Sequence, residues 1–204
     1  MRWPRPLLHA ASLARKTFGM STVSRPIDVK TLVRCAMFAA LIAALGLLPP
    51  IPVPVIPVPV TAQTLGVMLA GAVLGARNGA LAVILFLGVL ALGFPLLSGG
   101  RGGLGVFFGP SAGFLLGWVA GACVTGALAA TSECKLPRLI IACMVGGIGA
   151  VYAVGIPWMA VVADLTLAQA AIASLVFLPG DVIKAIAAAV ATRAIRRGYP
   201  ASSS

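Results

Sequence analysis

Six long apolar stretches follow one another along this chain of 204 residues. The hydrocarbon core of a bilayer is about 30 Å thick and needs about 20 helical residues, so most of these stretches have the length of a transmembrane helix. Because 60% of the residues are hydrophobic and only 9% are charged, the sequence predicts an all-α integral membrane protein with six transmembrane helices. The second stretch is short, which leaves a re-entrant segment as an alternative there. The stretches cover residues 30–48, 62–76, 79–95, 110–131, 138–160 and 179–196.

The distribution of basic residues predicts the orientation of these helices. Cytoplasmic loops of membrane proteins carry an excess of Lys and Arg. With a cytoplasmic N-terminus, each of the 15 Lys and Arg residues except Arg101 and Lys184 lies on the inner side. We therefore expect both termini inside, with a proline-rich loop and a glycine-rich loop outside. The net charge of +11 then reflects membrane orientation, since the cations do not form the single basic face that nucleic-acid binding needs.

The membrane domain is expected to span residues 30–196. A basic leader, residues 1–29, precedes it, and a short tail, residues 197–204, follows it. The leader lacks the apolar core of a signal peptide. It is therefore expected to be either a disordered extension or the product of a misassigned start, because Met20 begins a stretch with the composition of a short cytoplasmic tail.

Three ionisable residues are assigned to the outer half of the membrane: Arg101, Asp181 and Lys184. Such groups cost roughly 2.5–3.5 kcal/mol each on insertion scales, so they normally face the interior of a bundle or a wet cavity. Asp181 and Lys184 share a helix face. One acid and two bases favour a small monoanionic ligand, with its carboxylate near Arg101 or Lys184 and its N–H groups near Asp181. The alternative is a structural Asp181–Lys184 ion pair, with Arg101 solvated in its loop.

Neighbouring segments frame this predicted pocket. Residues 49–59 contain six prolines, so they are expected to form an extended loop rather than a helix. That loop is either a wall or lid of the pocket or a rigid linker. Side chains that offer neutral hydrogen bonds follow it, although the two threonines among them are also candidates for capping the second helix; they are Thr61, Gln63 and Thr64. Thr166 is predicted to cap a further helix, over residues 165–177 at the outer surface.

Two stripes of small residues predict close helix approach. One is expected to pack inside the bundle; it consists of Gly113, Gly117 and Gly121. The other, on the first helix, is expected to face a partner protein; it consists of Ala36, Ala40 and Ala44.

The sequence argues against an enzyme. A catalytic or metal site at membrane depth needs a nucleophile with a base, paired carboxylates or metal ligands. The chain has four acids and a single histidine, His9 in the basic leader, and its four cysteines show no C-x-x-C spacing. There is also no G-x-x-x-x-G-K-[ST] motif, so we expect no bound nucleotide, metal or other cofactor.

Three segments together resemble the BioY family, the biotin-binding S components of energy-coupling-factor (ECF) vitamin transporters. They are "PPIPVPVIPVPVTAQTLGVMLAGAVLGARNGAL" (49–81), "GGRGGLGVFFGPSAGFLLG" (99–117) and "LPGDVIKA" (178–185). The resemblance implies a six-helix protein of the bacterial cytoplasmic membrane that binds biotin with high affinity in an outward-facing pocket. It also implies docking on a transmembrane coupling subunit that is driven by ATPase subunits.

The resemblance assigns roles to particular residues. Asp181 and Lys184 match the family's ligand contacts, and the alanines at 36, 40 and 44 match its docking feature. Where family members often have "GPTGGY", this chain has Ser111 for the threonine and Phe114 for the tyrosine; both stay candidate ligand residues. Arg101 and its neighbour Gly100 lie in a glycine-rich loop that varies in the family. Arg101 as partner of the ligand carboxylate therefore rests on the charge argument.

Biotin fits the residues chemically. Its ureido ring offers N–H donors and a carbonyl, its valerate is anionic, and its sulfur ring suits an apolar, aromatic cavity. The aromatic candidates are Phe86, Phe107, Phe108, Phe114 and Trp118. The alternative function is a stand-alone or proton-coupled carrier for biotin or another small carboxylate vitamin, with Asp181 as the proton relay.

Overall fold

The computed structural model describes residues 28–52, 58–130 and 135–198. Most of the predicted leader, residues 1–27, and most of the predicted tail, residues 199–204, lie outside the described residues. The apolar segments of the described part form helices. They are α1 (Val29–Gly46), α2 (Gln63–Leu74), α3 (Ala76–Ala91), α4 (Ala112–Ala129), α5 (Leu136–Val162), α6 (Leu167–Ser174) and α7 (Leu178–Gly198).

Helices occupy all six predicted apolar stretches, but not all are of full length. Among the described residues, four helical segments are long and apolar enough to cross a membrane: α1, α4, α5 and the stretch from α6 through α7. Helices α2 and α3 have only 12 and 16 residues. The third helix also lies earlier than the predicted 79–95. It starts directly after Gly75, whose φ of +84° makes the turn from α2, and Gly93 at φ +105° follows its end.

Helix α4 lies at the centre of the bundle and contacts α2, α3 and α5. Its glycine stripe faces α5, as the sequence predicted. A Cβ atom on Gly117 would lie 2.8 Å from the Val151 carbonyl oxygen, and one on Gly113 would overlap the Trp158 side chain. Only glycine permits this separation of the two helices.

Helix α5 changes its winding in the middle. Residues Val145–Ala150 form one π-helical stretch between two α-helical halves, Leu136–Met144 and Val151–Val162. Such π-bulges are frequent at functional sites, because the wider turn shifts the residues that follow it around the helix axis. The second half of α5 thereby presents Val151 and Tyr152 to the same interior cavity.

Helix α1 is peripheral and packs on α2 and α3. Its inner side includes the buried residues Cys35, Ala39 and Ile42. The alanines of the predicted docking stripe, at positions 36, 40 and 44, are all exposed on the other side.

Hydrogen bonds fix the ends of several elements. Ile51 and Val60 pair as an antiparallel bridge with two bonds of 3.0 Å, so the described flanks of the proline-rich loop are extended, as predicted. Thr166 caps α6 in a capping box with Gln169, which confirms the predicted helix start. At the far end of α7, Arg196 donates to the carbonyl oxygens of Ala72 in α2 and Ala129 in α4.

Candidate functional site

An interior cavity lies between α2, α4, α5 and α7, and the two loops predicted to face outside close around it. Its walls combine aliphatic and aromatic side chains with a small number of polar groups, which is the usual chemistry of a small-molecule site. The residues that line it are Val58, Pro59, Val60, Thr61, Gln63, Thr64, Leu97, Arg101, Ser111, Phe114, Leu115, Trp118, Val151, Tyr152, Phe177, Asp181 and Lys184.

Asp181 is the centre of the polar part of this cavity. It lies in the first turn of α7 and is 4% exposed. One carboxylate oxygen, Oδ1, is 2.6 Å from Lys184 Nζ and accepts a 3.3 Å hydrogen bond from Thr64. The other, Oδ2, accepts a 2.7 Å bond from the Tyr152 hydroxyl. A buried carboxylate needs such partners to offset its desolvation.

Lys184 completes the cluster. Its Nζ also donates to the Thr61 carbonyl oxygen at 2.7 Å and to the Thr64 hydroxyl at 2.9 Å. The predicted structural ion pair therefore exists, and it also faces the cavity. One prediction was that Thr61 and Thr64 cap α2. That prediction is wrong, because Ala62 is at the N-cap of α2 and no side chain caps this helix. Both residues accept hydrogen bonds from Lys184 instead, since a buried ammonium group needs acceptors.

Arg101 also lines the cavity, from the glycine-rich loop. Its backbone pairs with Leu97, which fixes the tight turn of the loop. No hydrogen bond or ion pair of its guanidinium group occurs within the described ranges, and the residue is partly exposed. Because the charges of Asp181 and Lys184 cancel, Arg101 gives the cavity lining a net positive charge. That charge favours an anionic group on a ligand.

Gln63 lines the cavity, but most of its hydrogen bonds are made to other groups of the protein. Its side chain is fully buried. The amide nitrogen donates to the backbone oxygens of Ile42 and Leu96, at 3.2 and 3.0 Å. The amide oxygen accepts from the Ser98 backbone N–H at 3.3 Å. Gln63 therefore ties α1 and the glycine-rich loop to α2, and only its remaining oxygen lone pair is free for a ligand.

Of the other predicted site residues, some line the cavity and one does not. Ser111 and Phe114 line the cavity. Gly100, at φ +70° in the glycine-rich loop, instead lines an adjacent, more open cavity that shares only Arg101 and Ser111 with the first, so its role as a ligand residue stays a prediction.

Only two of the five aromatic candidates, Phe114 and Trp118, lie in the cavity wall. Phe86 is buried behind it against Trp118, with the ring centroids 6.0 Å apart. Phe108 is 77% exposed, and Phe107 is absent from the lining as well. Both belong to the segment around the short 3₁₀ helix Leu104–Phe107, where Phe107 is partly buried against the core outside the cavity wall.

Sequence reasoning missed two aromatic lining residues, Tyr152 and Phe177. The rings of both meet Phe114 edge-on, at centroid distances of 6.1 and 6.0 Å. A usable signal for Tyr152 was present, since it is the only tyrosine in an apolar stretch and a Tyr hydroxyl at membrane depth needs a partner. Its direction depends on the π-helical turn, which the periodicity of the sequence does not reveal.

The described part of the chain contains no group of three or more His, Cys, Asp or Glu side chains that could hold a metal ion. What it contains is a bundle of membrane-length apolar helices around a cavity with aromatic walls, a buried carboxylate and two cations. These features are typical of multi-pass membrane proteins that bind a small solute.

Comparison with known proteins identifies the family. Residues 16–201 match the BioY family. The "Biotin transporter BioY" of Rhizobium etli is 51% identical over 181 residues, which cover 85% of this chain and 97% of that protein. That of Rhodobacter capsulatus is 43% identical, over 81% of this chain and 93% of its own. The crystal structure of the "S-component for biotin from an ECF-type ABC transporter" superposes with a TM-score of 0.78 at 37% identity, over 88% of this chain and 95% of that chain.

The chain belongs to the BioY family. Its relatives are transporters, so it is a transport protein and not an enzyme, as the sequence predicted.

Proposed function

We propose that this protein takes up biotin across the bacterial cytoplasmic membrane as the substrate-binding component of an ECF-type transporter. In this proposal all six apolar helices cross the membrane, both termini are cytoplasmic and the cavity opens outward. The names of the relatives support the substrate, and the matched S component supports the type of transporter.

The observation that carries the proposal is the polar cluster at an otherwise apolar cavity. Asp181 can accept the ureido N–H groups of biotin, and Lys184 can donate to the ureido carbonyl. Phe114, Trp118 and the aliphatic lining suit the sulfur-containing ring. Arg101 supplies the charge that a valerate carboxylate requires.

Equilibrium binding of labelled biotin to the purified protein tests the substrate. We expect one-to-one binding, a loss of about 100-fold for Asp181→Asn and a smaller loss for Arg101→Ala, because hydrogen bonds to charged groups contribute about 1.5–3 kcal/mol each. Asp164→Asn and Arg197→Ala are matched controls. Both residues are exposed and absent from the cavity lining, and Asn tolerates the φ of +53° at position 164. A folded wild type that binds no biotin refutes the substrate.

The exposed alanine stripe of α1 supports docking on a coupling subunit. Small side chains allow the close approach of a partner helix, and the stripe points away from the rest of the bundle. Ala40→Trp should reduce biotin uptake by cells and leave binding to the purified protein unchanged. Ala187→Trp on α7, where the residue is also exposed, is the control for a bulky residue in the lipid. Equal uptake by both variants would contradict docking through α1.

The second candidate is a stand-alone or proton-coupled carrier for biotin or another small carboxylate vitamin. The buried carboxylate of Asp181 favours it, since such groups serve as proton relays in transporters. Uptake that collapses with an uncoupler, and that needs no ATPase, would support this candidate. Recovery of an ATPase with the tagged protein from its native membrane in mild detergent supports the ECF proposal.

A further inference from the structure

Tyr152 makes the hydrogen bond that joins the two sides of the cavity. The second half of α5, which carries Tyr152, packs mainly on α4 and α6, whereas α7, which carries Asp181, packs mainly on α2 and the first half of α5. The bond between the Tyr152 hydroxyl and Asp181 Oδ2, 2.7 Å long, therefore spans the space between them.

The tyrosine is held rigidly in this position. Its ring meets Phe114 at an interplanar angle of 84°, and Phe114 in turn packs against Phe177. The preceding residue, Val151, is 2% exposed and lies against the glycine stripe of α4. Because both neighbours are fixed, the phenol hydroxyl is directed by the fold and does not depend on a ligand.

The two oxygens of Asp181 have different surroundings as a result. Lys184 and Thr64 both bind Oδ1, while Tyr152 is the one side chain within the described ranges that donates to Oδ2. A carboxylate oxygen has two acceptor positions. With one of them taken by Tyr152, Oδ2 keeps a single position, and its direction is set by the phenol.

We propose that Tyr152 is the positioning residue that sets the direction in which Asp181 accepts a hydrogen bond from the ligand. This inference rests on the proposed function, because the ureido ring of biotin places an N–H donor beside a carbonyl acceptor. The N–H occupies the free position of Oδ2, and the carbonyl receives a donor from Lys184. Without the phenol, only the contacts of Lys184 and Thr64 with Oδ1 would orient the carboxylate.

Biotin binding to Tyr152→Phe tests the proposal. The substitution removes one oxygen atom and keeps the aromatic packing, so we expect an unchanged unfolding midpoint to within a few degrees and a dissociation constant raised about tenfold or more. Dethiobiotin should lose the same factor, because it retains the ureido ring. Ser174→Ala is the matched control, since it also removes a buried hydroxyl with a 2.8 Å hydrogen bond, but on α6 and outside the cavity lining. It should bind biotin as the wild type does.

A spectroscopic measurement separates positioning from packing. The chain has two tyrosines, so Tyr199→Phe leaves Tyr152 as the only one, and a ¹³Cζ label then reports its hydroxyl alone by NMR. We expect this resonance to move in Asp181→Asn without ligand, and to move in the parent protein when biotin is added.

Each result decides the proposal. Tyr152→Phe that binds biotin within about twofold of the wild type, or more tightly, overturns it. A resonance unchanged by Asp181→Asn overturns the contact itself. If the wild type binds no biotin, the proposed function fails, and the ligand-free NMR comparison still decides whether the Tyr152 hydroxyl contacts Asp181.

Discussion

Gly117→Ala is expected to push two helices of the cavity wall apart. The added Cβ would lie 2.8 Å from the carbonyl oxygen and 3.1 Å from the Cα of Val151. Ordinary van der Waals contact begins at 3.4 Å, so the α4 and α5 backbones must separate by about 0.6 Å, the difference between 3.4 and 2.8 Å. Overpacking of this kind costs typically about 1–3 kcal/mol.

The displacement also affects the ligand site, because Val151 carries Tyr152 with it. We expect a lower midpoint of thermal unfolding in detergent and weaker biotin binding. Gly88→Ala is the matched control: it lies inside α3, and its added Cβ would meet no atom within 4 Å. Because alanine favours a helix by up to about 1 kcal/mol over glycine, this control should be as stable as the wild type or more so. Equal midpoints for the two variants would refute the close-packing argument.

Other variants probe single features. Arg196→Gln should lower the unfolding midpoint, since its bonds to two helix-end carbonyls are lost, and it should keep biotin affinity, because position 196 lies about 22 Å along α7 from Asp181; weakened binding would contradict this. Thr166→Ala should cost about 1 kcal/mol of stability, measured by denaturant titration, and no loss would contradict the cap. Leu104→Cys should react with an impermeant thiol reagent in intact cells and Ala130→Cys should not; the reverse pattern would invert the proposed topology.

The sequence was most informative where one residue determines its own surroundings. Asp181 and Lys184 could be placed on one helix face from their spacing, and their cost in a membrane predicted a cavity around them. Thr166 predicted the start of a helix from its own preference for the N-cap position. In each of these examples the outcome depends on a few neighbouring positions of the chain.

The sequence was least informative where backbone geometry or distant contacts decide. The direction of Tyr152 depends on the π-helical turn, and Gln63 is bound to backbone groups at Ile42, Leu96 and Ser98, which no local pattern reveals. Gly100 lines the adjacent cavity and not the main one, because the path of the glycine-rich loop decides which cavity it meets. Side-chain type alone could not place any of these three.

The short helices α2 and α3 have a consequence for the surrounding lipid. At a rise of 1.5 Å per residue, they extend about 18 and 24 Å, whereas a bilayer core is about 30 Å thick. Ile84 and Leu85 of α3 are exposed on this flank, so in the proposed topology this short helix meets the lipid there, and local thinning of the bilayer is one way to accommodate it. Such hydrophobic mismatch costs fractions of a kcal/mol per Å, and it acts on one side of the protein only. We therefore expect the mismatch beside α3 to grow with the chain length of the lipids.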